Sequence, residues 1–268
     1  MSPVVVDAHV HVWDPAAVGP RDEVAQAGAV DALLATFDRA GVAAGVVVQP
    51  SVHGTDHAYL LGALEGAEGR LVGVALAEPE DPAWLDVLES LAASGPRIRG
   101  VRVPLIRAPD GWLQRVGVPI FELARTSGWV VGPFLQPDQL AGLRPLLERF
   151  AEVPVVIDHL ARIDVLGDRR ADGLAELCTY AAYPQVAVKA SALPALSAGL
   201  DEVRAVLEAF GPERVLWGSD YPPTLQHGPY EAGLETVRRA VEDAPPETVV
   251  GVLGGTATRL YLDSGSER

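Results

Sequence analysis

The sequence predicts an α/β protein, a single (β/α)₈ barrel that spans residues 1–268. Eight short apolar runs, rich in β-branched residues, alternate with longer amphipathic segments, and the repeat of about 33 residues is close to one βα unit. The length also fits, since such a barrel commonly takes about 250 residues. A doubly wound open sheet is the main rival, but a nucleotide-binding one has a glycine-rich first turn, and residues 8–14 contain no glycine.

The strands and helices follow one another in a regular order. Strands are predicted over residues 4–6, 45–49, 71–75, 98–103, 129–134, 153–157, 186–189 and 215–217. Apolar residues at helical spacing predict helices over residues 29–40, 82–93, 138–150, 201–210 and 230–241. Glycine follows several of the helical segments, as a helix end requires. Residues 107–119 and 222–229 are predicted to be long loops that fold over the barrel mouth.

Charge and cysteine content exclude several partners and compartments. A formal net charge of −15 disfavours nucleic acid and anionic membrane surfaces, which select a basic face. The one cysteine, Cys178, cannot form an internal disulfide, which favours a reducing compartment. Residues 1–7 lack the features of a signal peptide, and no run approaches a membrane-spanning length. We therefore expect a cytoplasmic protein that acts on a small molecule, with a homodimer left open.

The histidines cluster where predicted strands end. The six are His9 and His11 after strand 1, His53 and His57 after strand 2, His159 after strand 6 and His227 after strand 8. In barrels of this kind the site lies at the carboxyl ends of the strands. The pattern therefore predicts a histidine-lined mouth.

The motif His9-Val10-His11 is the strongest local signal. Residues two apart on a strand share a face, so Asp7, His9 and His11 are expected to point inward together. Two converging imidazoles suit a divalent metal, and the alternative is a polar pair bonded to the backbone. Asp220, just past the last strand, is placed to be a general base or a carboxylate ligand, unless it caps a turn.

Four segments carry a family resemblance. They are VDAHVHVWD at residues 6–14, IDHL at 157–160, VKAS at 188–191 and WGSDYP at 217–222, and GGTATRLY at 254–261 resembles the family's final helix. The chain resembles the amidohydrolase-related family of the amidohydrolase superfamily, in the branch of 2-pyrone-4,6-dicarboxylate lactonase and sugar-lactone hydrolases. The resemblance covers nearly the whole chain and implies a TIM barrel of the metal-dependent hydrolase type.

The resemblance implies a central site of His9, His11, His159 and Asp220. In metal-using members such residues hold a divalent ion, often zinc. In some lactonases of this branch the histidines stabilise the carbonyl oxygen and the aspartate activates water without metal. Residues 129–136 contain neither the lysine nor the histidine of a binuclear centre. We therefore expect one divalent metal, zinc first, or none.

Further strand-end residues are candidates for substrate binding. Gln49, Ser51 and His53 follow strand 2, and Arg102 and Arg162 could each grip a substrate carboxylate, although salt-bridged arginine is the alternative. Where Lys189 points, and what His57 and His227 do, stays open at this level.

The leading hypothesis is hydrolysis of a lactone or similar cyclic ester that is anionic or polyhydroxylated, with water activated by Asp220. The alternatives are a metal-dependent decarboxylase of a small unsaturated or aromatic acid, and a binding protein on the same barrel.

Overall fold

The computed structural model describes residues 3–18, 23–78, 81–95 and 97–263 and confirms the predicted barrel. Eight parallel strands form one sheet in sequence order. The strands are β1 (Val5–Val10), β2 (Val42–Val48), β3 (Leu71–Leu76), β4 (Ile98–Pro104), β5 (Val130–Phe134), β6 (Val155–Ile157), β7 (Val186–Ser191) and β8 (Val215–Gly218). Because all strands run the same way, their carboxyl ends lie at one rim.

Helices and helical turns connect the strands. The α-helices are α1 (Pro15–Val18), α2 (Glu23–Ala27), α3 (Val30–Ala40), α4 (Ala58–Gly66), α5 (Trp84–Ala93), α6 (Trp112–Ser127), α7 (Arg144–Arg149), α8 (Arg170–Thr179), α9 (Leu193–Leu196), α10 (Leu200–Phe210), α11 (Glu231–Ala240) and α12 (Pro246–Val250). Among the described residues no helix is long and apolar enough to cross a bilayer.

The seam between β8 and β1 differs from the rest of the wall. Hydrogen-bonded ladders join each strand to the next, whereas β8 and β1 are linked by an isolated bridge between Val10 and Tyr221. Two backbone bonds reinforce it: His11 N–H donates to Tyr221 O across 2.7 Å, and Asp220 N–H donates to His9 O across 2.8 Å. The barrel is therefore nearly closed, and two candidate site segments meet at its seam.

The amino-terminal half of the barrel interior is an apolar layer. Its buried members are Val6, Ala8, Val46, Val48, Val74, Val130, Val156, Ala187, Leu216, Ala257 and Tyr261. Tyr261 belongs to a π-helical turn, Thr258–Leu262, that closes this end. Gly254 lets the chain approach β1, since a Cβ there would lie 2.3 Å from Val4 O.

The prediction of a loop over residues 107–119 is wrong for most of that range, because Trp112–Ser127 forms helix α6. Gly117 and Pro119 have poor helix propensity, but both lie inside the helix. Gly117 is there for packing, since a Cβ would approach Leu146 to 2.5 Å. Contact between helices outweighs the poor helix propensity of these residues.

Asp7 is buried in the wall rather than pointing into the barrel, so its predicted inward orientation is wrong. Its neighbours Val6 and Ala8 belong to the interior layer, and its own carboxylate accepts a bond from Tyr230 OH, next to the outer helix α11, across 2.7 Å. The register of β1 against β2 shifts between Asp7 and Val10. This irregularity breaks the two-residue alternation and turns His9 to the face that Asp7 does not share.

Candidate active site

A cavity of about 420 Å³ opens at the carboxyl ends of the strands, a volume suited to a small organic ligand. Its lining combines the polar cluster with an apolar side. The lining residues are His11, Arg102, Phe134, His159, Arg162, Ala192, Ala195, Leu196, Asp220, Pro223, Gln226 and His227.

The structure brings the four predicted central residues together beside this cavity. The Oδ1 atom of Asp220 lies 3.3 Å from His11 Nε2, 3.7 Å from His9 Nε2 and 3.9 Å from His159 Nε2. The Nε2 atoms of His9 and His11 are 3.3 Å apart. One carboxylate oxygen therefore faces three imidazole nitrogens, contributed by β1, by the segment that follows β1 and by the loop after β6.

The position of Asp220 is fixed by the seam. Its backbone is left-handed, with φ of 64°, a conformation that costs a non-glycine residue about 1 kcal/mol or more. The preceding Ser219 donates its N–H to Asp7 Oδ1 across 2.9 Å, and its Oγ accepts from Tyr221 N–H across 2.9 Å. With the bond to His9 O, these contacts hold the strained residue in place.

The loop after β6 carries His159 into the cavity on a left-handed turn. His159, Leu160, Ala161 and Arg162 all have φ between 50° and 54°. Left-handed helix is rare for such residues, and about three residues complete such a turn, so His159 and Arg162 emerge on one side. Both line the cavity. The turn thus places an imidazole and a guanidinium next to each other.

Asp158 is the charged centre beneath the histidines. Its Oδ1 lies 3.0 Å from Lys189 Nζ and 3.4 Å from His9 Nδ1, and its Oδ2 lies 3.2 Å from Arg102 Nε. Burial alone would raise the pKa of Asp158, but the nearby Lys189, His9 and Arg102 outweigh it and hold that pKa well below its ordinary value. Burial lowers the pKa of Lys189, and the Asp158 carboxylate opposes that shift.

Protonation states in the cluster suit acid–base chemistry. Burial lowers the pKa of His9 well below its ordinary value and lowers the pKa of His159 to about 4. Burial would raise the pKa of Asp220, but interactions with His159 and His11 outweigh it and lower that pKa. At neutral pH the site therefore presents the Asp220 carboxylate beside the uncharged imidazoles of His9 and His159.

The donor set fits a single divalent ion. Ligand atoms of His9, His159 and Asp220 all lie within 4.8 Å of one another, and His11 Nε2 is 3.3 Å from both His9 Nε2 and Asp220 Oδ1. Imidazole nitrogen and carboxylate oxygen are donors that zinc takes in proteins. The chemistry and spacing of these side chains thus match one zinc ion better than two, since β5 contributes no ligand type to the group.

The two candidate arginines line the cavity and are both partly engaged. Arg102 donates from Nε to Asp158, and its guanidinium lies 4.2 Å from the ring centre of Phe134. Arg162 makes two bonds to Asp164, of 2.8 and 2.9 Å. A ligand carboxylate would meet guanidinium groups that are already oriented by these contacts.

The candidates that follow β2 lie away from this cavity. Gln49 is fully buried and donates to Gly54 O and Asp56 O, which folds the loop. Ser51 is exposed at the start of a helical turn. His53 accepts from Asp14 N–H across 3.3 Å and lines a separate surface pocket with it. Their part in substrate binding stays a prediction.

Asp158 and Lys189 are the main site residues that sequence reasoning did not assign. Both lie within the quoted motifs, at IDHL and VKAS, so a signal was present. Their partnership depends on how β6 and β7 align, since Ile157 pairs with Val188 and brings the next residue of each strand together. Register of this kind is not readable from one sequence.

Comparisons with known proteins agree with this geometry. A family model described as Amidohydrolase matches residues 6–262. The 4-sulfomuconolactone hydrolase of Rhizobium radiobacter is 30% identical over 230 residues, covering 81% of this chain and 75% of the relative. The L-fucono-1,5-lactonase of Burkholderia ambifaria is 29% identical and covers 96% of this chain and 94% of its own.

A solved structure of similar shape supports the fold. It is an amidohydrolase from Burkholderia multivorans with bound zinc, with a TM-score of 0.78 and 24% identity, covering 96% of this chain and 99% of that one. At this identity the likeness shows the fold alone, an eight-stranded barrel.

Proposed function

The chain belongs to the amidohydrolase family and is a hydrolase, and from this premise we propose that it opens a small lactone by attack of water. The observation that carries the proposal is the Asp220 carboxylate facing three imidazoles at the cavity. Lactone hydrolysis by the two relatives named above supports the same reaction class.

In this reaction Asp220 acts as general base. Its carboxylate accepts a proton from a water in the cavity, and the oxygen of that water attacks the lactone carbonyl carbon. The ester C–O bond then breaks, and the proton returns to the leaving alkoxide, which gives a hydroxy acid. The imidazoles stabilise the negative oxygen that forms on the carbonyl carbon.

A divalent ion held by His9, His11, His159 and Asp220 would, when bound, polarise the carbonyl as a Lewis acid. The protein supplies the rest: it excludes bulk water around the buried histidines, orients the carbonyl and holds the base. Zinc is the ion that the donor set favours.

The cavity lining supports an anionic substrate ahead of a polyhydroxylated one. Arg102 and Arg162 supply two guanidinium groups, which recognise carboxylates well. Several other lining residues are apolar, among them Phe134 and Leu196, and would leave several sugar hydroxyls without partners. We therefore propose a carboxylated, unsaturated lactone as the substrate class.

A substrate panel tests the proposal. Purified protein is assayed by pH-stat against muconolactone-type, pyrone-carboxylate and sugar lactones, with and without added zinc and after chelation. We expect acid release from a carboxylated lactone. Carbon dioxide release from an unsaturated acid, strictly dependent on metal and with no lactone opened, would replace this function by decarboxylation.

A further inference from the structure

Helix α9 (Leu193–Leu196) supplies much of the apolar lining of the cavity. The side chains of Ala195 and Leu196 in this helix, and of Ala192 just before it, all line the cavity. The helix packs between the loop after β6, the helical turn Pro223–Gln226 and helix α11. An apolar part of a bound ligand would therefore pack against α9.

α9 is too short to hold its own conformation. It has four residues, and a single helical turn is unstable alone because its nucleation costs more free energy than its few hydrogen bonds recover. The residues that flank it, Ala192 and Ser197, are both left-handed, with φ of 55° and 49°, a conformation that is unfavourable for residues other than glycine. The position of α9 therefore depends on contacts with other elements.

Arg170, the first residue of α8, supplies such contacts at the end of α9. Its Nη2 donates to Leu196 O and its Nη1 to Ser197 O, both across 2.8 Å. Carbonyl groups at the end of a helix lack partners within it, and a cationic side chain that binds them stabilises the helix. Arg170 itself is not among the residues that line the cavity.

Glu202, in the first turn of α10, holds the same region from the other side. Its Oε1 lies 3.3 Å from Arg170 Nη1, and its Oε2 accepts a hydrogen bond from Gly199 N–H across 2.9 Å. The side chains of Arg170 and Glu202 are 27% and 18% exposed, so water competes only in part for these contacts. The end of α9 is thus tied to the outer helices α8 and α10.

The catalytic side chains are attached independently of α9. Ser191, whose Oγ lies 2.9 Å from His159 Nδ1, belongs to β7 and pairs with Gly218 of β8. Asp220 is held at the seam by its bond to His9 O. A displacement of α9 would therefore change the apolar lining and leave the polar cluster in place.

We propose that Arg170 is a positioning residue for substrate selection, which holds α9 where its side chains favour a flat unsaturated ring over a hydroxylated chain. That the ligand is a lactone rests on the proposed function, whereas this preference of the cavity does not. When α9 is in place in only a fraction of the molecules, the affinity for a ligand that packs against it falls in proportion to that fraction.

Hydrogen exchange tests the contact without a ligand. The backbone N–H groups of residues 196–198 are bonded within and next to the turn, so their exchange reports its opening. In Arg170→Met this exchange should be about tenfold faster or more, because two hydrogen bonds to a charged group are lost. Arg144→Met is the matched control, since Arg144 donates to Glu176 of the same helix α8, and it should leave this exchange unchanged. Unchanged exchange in Arg170→Met overturns the proposal.

Two monoanions without an ester bond test the selection. 2-Furoate offers a flat unsaturated ring and gluconate a hydroxylated chain, while both carry one carboxylate. Dissociation constants are measured by NMR titration at equal zinc content. Wild type should bind 2-furoate more tightly than gluconate, and Arg170→Met should weaken 2-furoate about fivefold and gluconate less than about twofold. With a lactone that the protein opens, KM should rise by a similar factor while kcat changes less than about twofold.

A conservative variant separates positioning from a merely structural role. Arg170→Lys keeps the charge but not the paired donors of the guanidinium, so it should give intermediate exchange and an intermediate preference. It also decides the test if Arg170→Met does not fold. Faster exchange with an unchanged preference for 2-furoate, or a wild type without that preference, overturns the proposal.

The two proposals fail separately. A protein that opens no lactone, but whose preference for 2-furoate depends on Arg170, refutes the proposed function and leaves the positioning role standing. A lactonase whose preference does not depend on Arg170 does the reverse.

Discussion

The two ends of the barrel interior are built from the same eight strands but hold opposite chemistry. At the amino ends, the enclosed side chains are apolar and are closed off by Tyr261. At the carboxyl ends, the enclosed side chains are three histidines, three ionic groups and Asp220. Lys189 Nζ lies 5.7 Å from the ring centre of Tyr261, so the two layers touch.

The two ends of the interior therefore serve different purposes. Burial of apolar side chains at the amino ends, here called the lower layer, stabilises the fold by about 25 cal/mol per Å². The polar side chains at the carboxyl ends, here called the upper layer, lack this stabilisation. Ion pairs there offset the free-energy cost of removing charged groups from water, but such pairs seldom add net stability. We therefore expect substitutions in the lower layer to change the free energy of unfolding and substitutions in the upper layer to change kcat.

Asp220→Asn gives the largest expected effect and lies entirely in the upper layer. Removing the base should lower kcat about 10³- to 10⁴-fold, the upper range for general acid–base catalysis. The free energy of unfolding, measured by urea denaturation, should change little, since the amide keeps the shape. A variant with undiminished kcat would refute the role of Asp220.

Tyr261→Ala is the matching test of the lower layer. Loss of a fully buried aromatic side chain should cost about 3 to 4 kcal/mol of unfolding free energy. Measured at a temperature where the variant is still folded, kcat should fall less than about tenfold. Tyr261→Phe, which keeps the ring, is the control. A variant that loses activity but not stability would contradict the separation.

Tyr230→Phe tests the seam between β8 and β1, where contacts that stabilise the barrel also hold residues of the candidate site. The hydroxyl donates to the buried Asp7 carboxylate, whose pKa burial raises to about 6. Its loss should cost about 2 kcal/mol of unfolding free energy, as for hydrogen bonds to charged groups. Tyr180→Phe is the matched control, since Tyr180 is buried and its hydroxyl has no hydrogen-bond partner among the described residues. Equal effects of the two substitutions would contradict the role of the seam.

Much of the fold was predictable because its signals are local. Periodic apolar runs indicate strands whatever their partners, and the eight predicted strands all occur. The proximity of His9, His11, His159 and Asp220 was predictable because the carboxyl ends of parallel strands meet at one rim.

The errors arise where neighbours outweigh local preference. Asp7 reverses its face because the pairing of β1 with β2 is irregular. Helix α6 tolerates Gly117 and Pro119 because its packing requires them or outweighs their cost. The contact between Asp158 and Lys189 depends on the register of β6 and β7. None of these is encoded in a short window of sequence.

His57 shows that a histidine at the mouth need not belong to the upper layer. Its Nδ1–H donates to Thr55 O across 2.8 Å and its Nε2 accepts from Leu76 N–H across 3.1 Å, which ties the loop after β2 to β3. Both ring nitrogens are thus engaged by backbone, and burial lowers the pKa of His57 from its ordinary value. This geometry supports a structural role.

The smallest expected effect is therefore a pH dependence of stability. Below pH of about 6.5 the unfolded chain protonates His57 while the folded protein does not, so stability falls as pH falls toward the lowered folded pKa. The slope attributable to His57 is at most about 1.4 kcal/mol per pH unit. Urea unfolding from pH 7 to 5 should show a shallower slope in His57→Gln than in wild type, since His9 and His159 contribute equally to both. Equal slopes in His57→Gln and wild type would contradict a buried neutral His57.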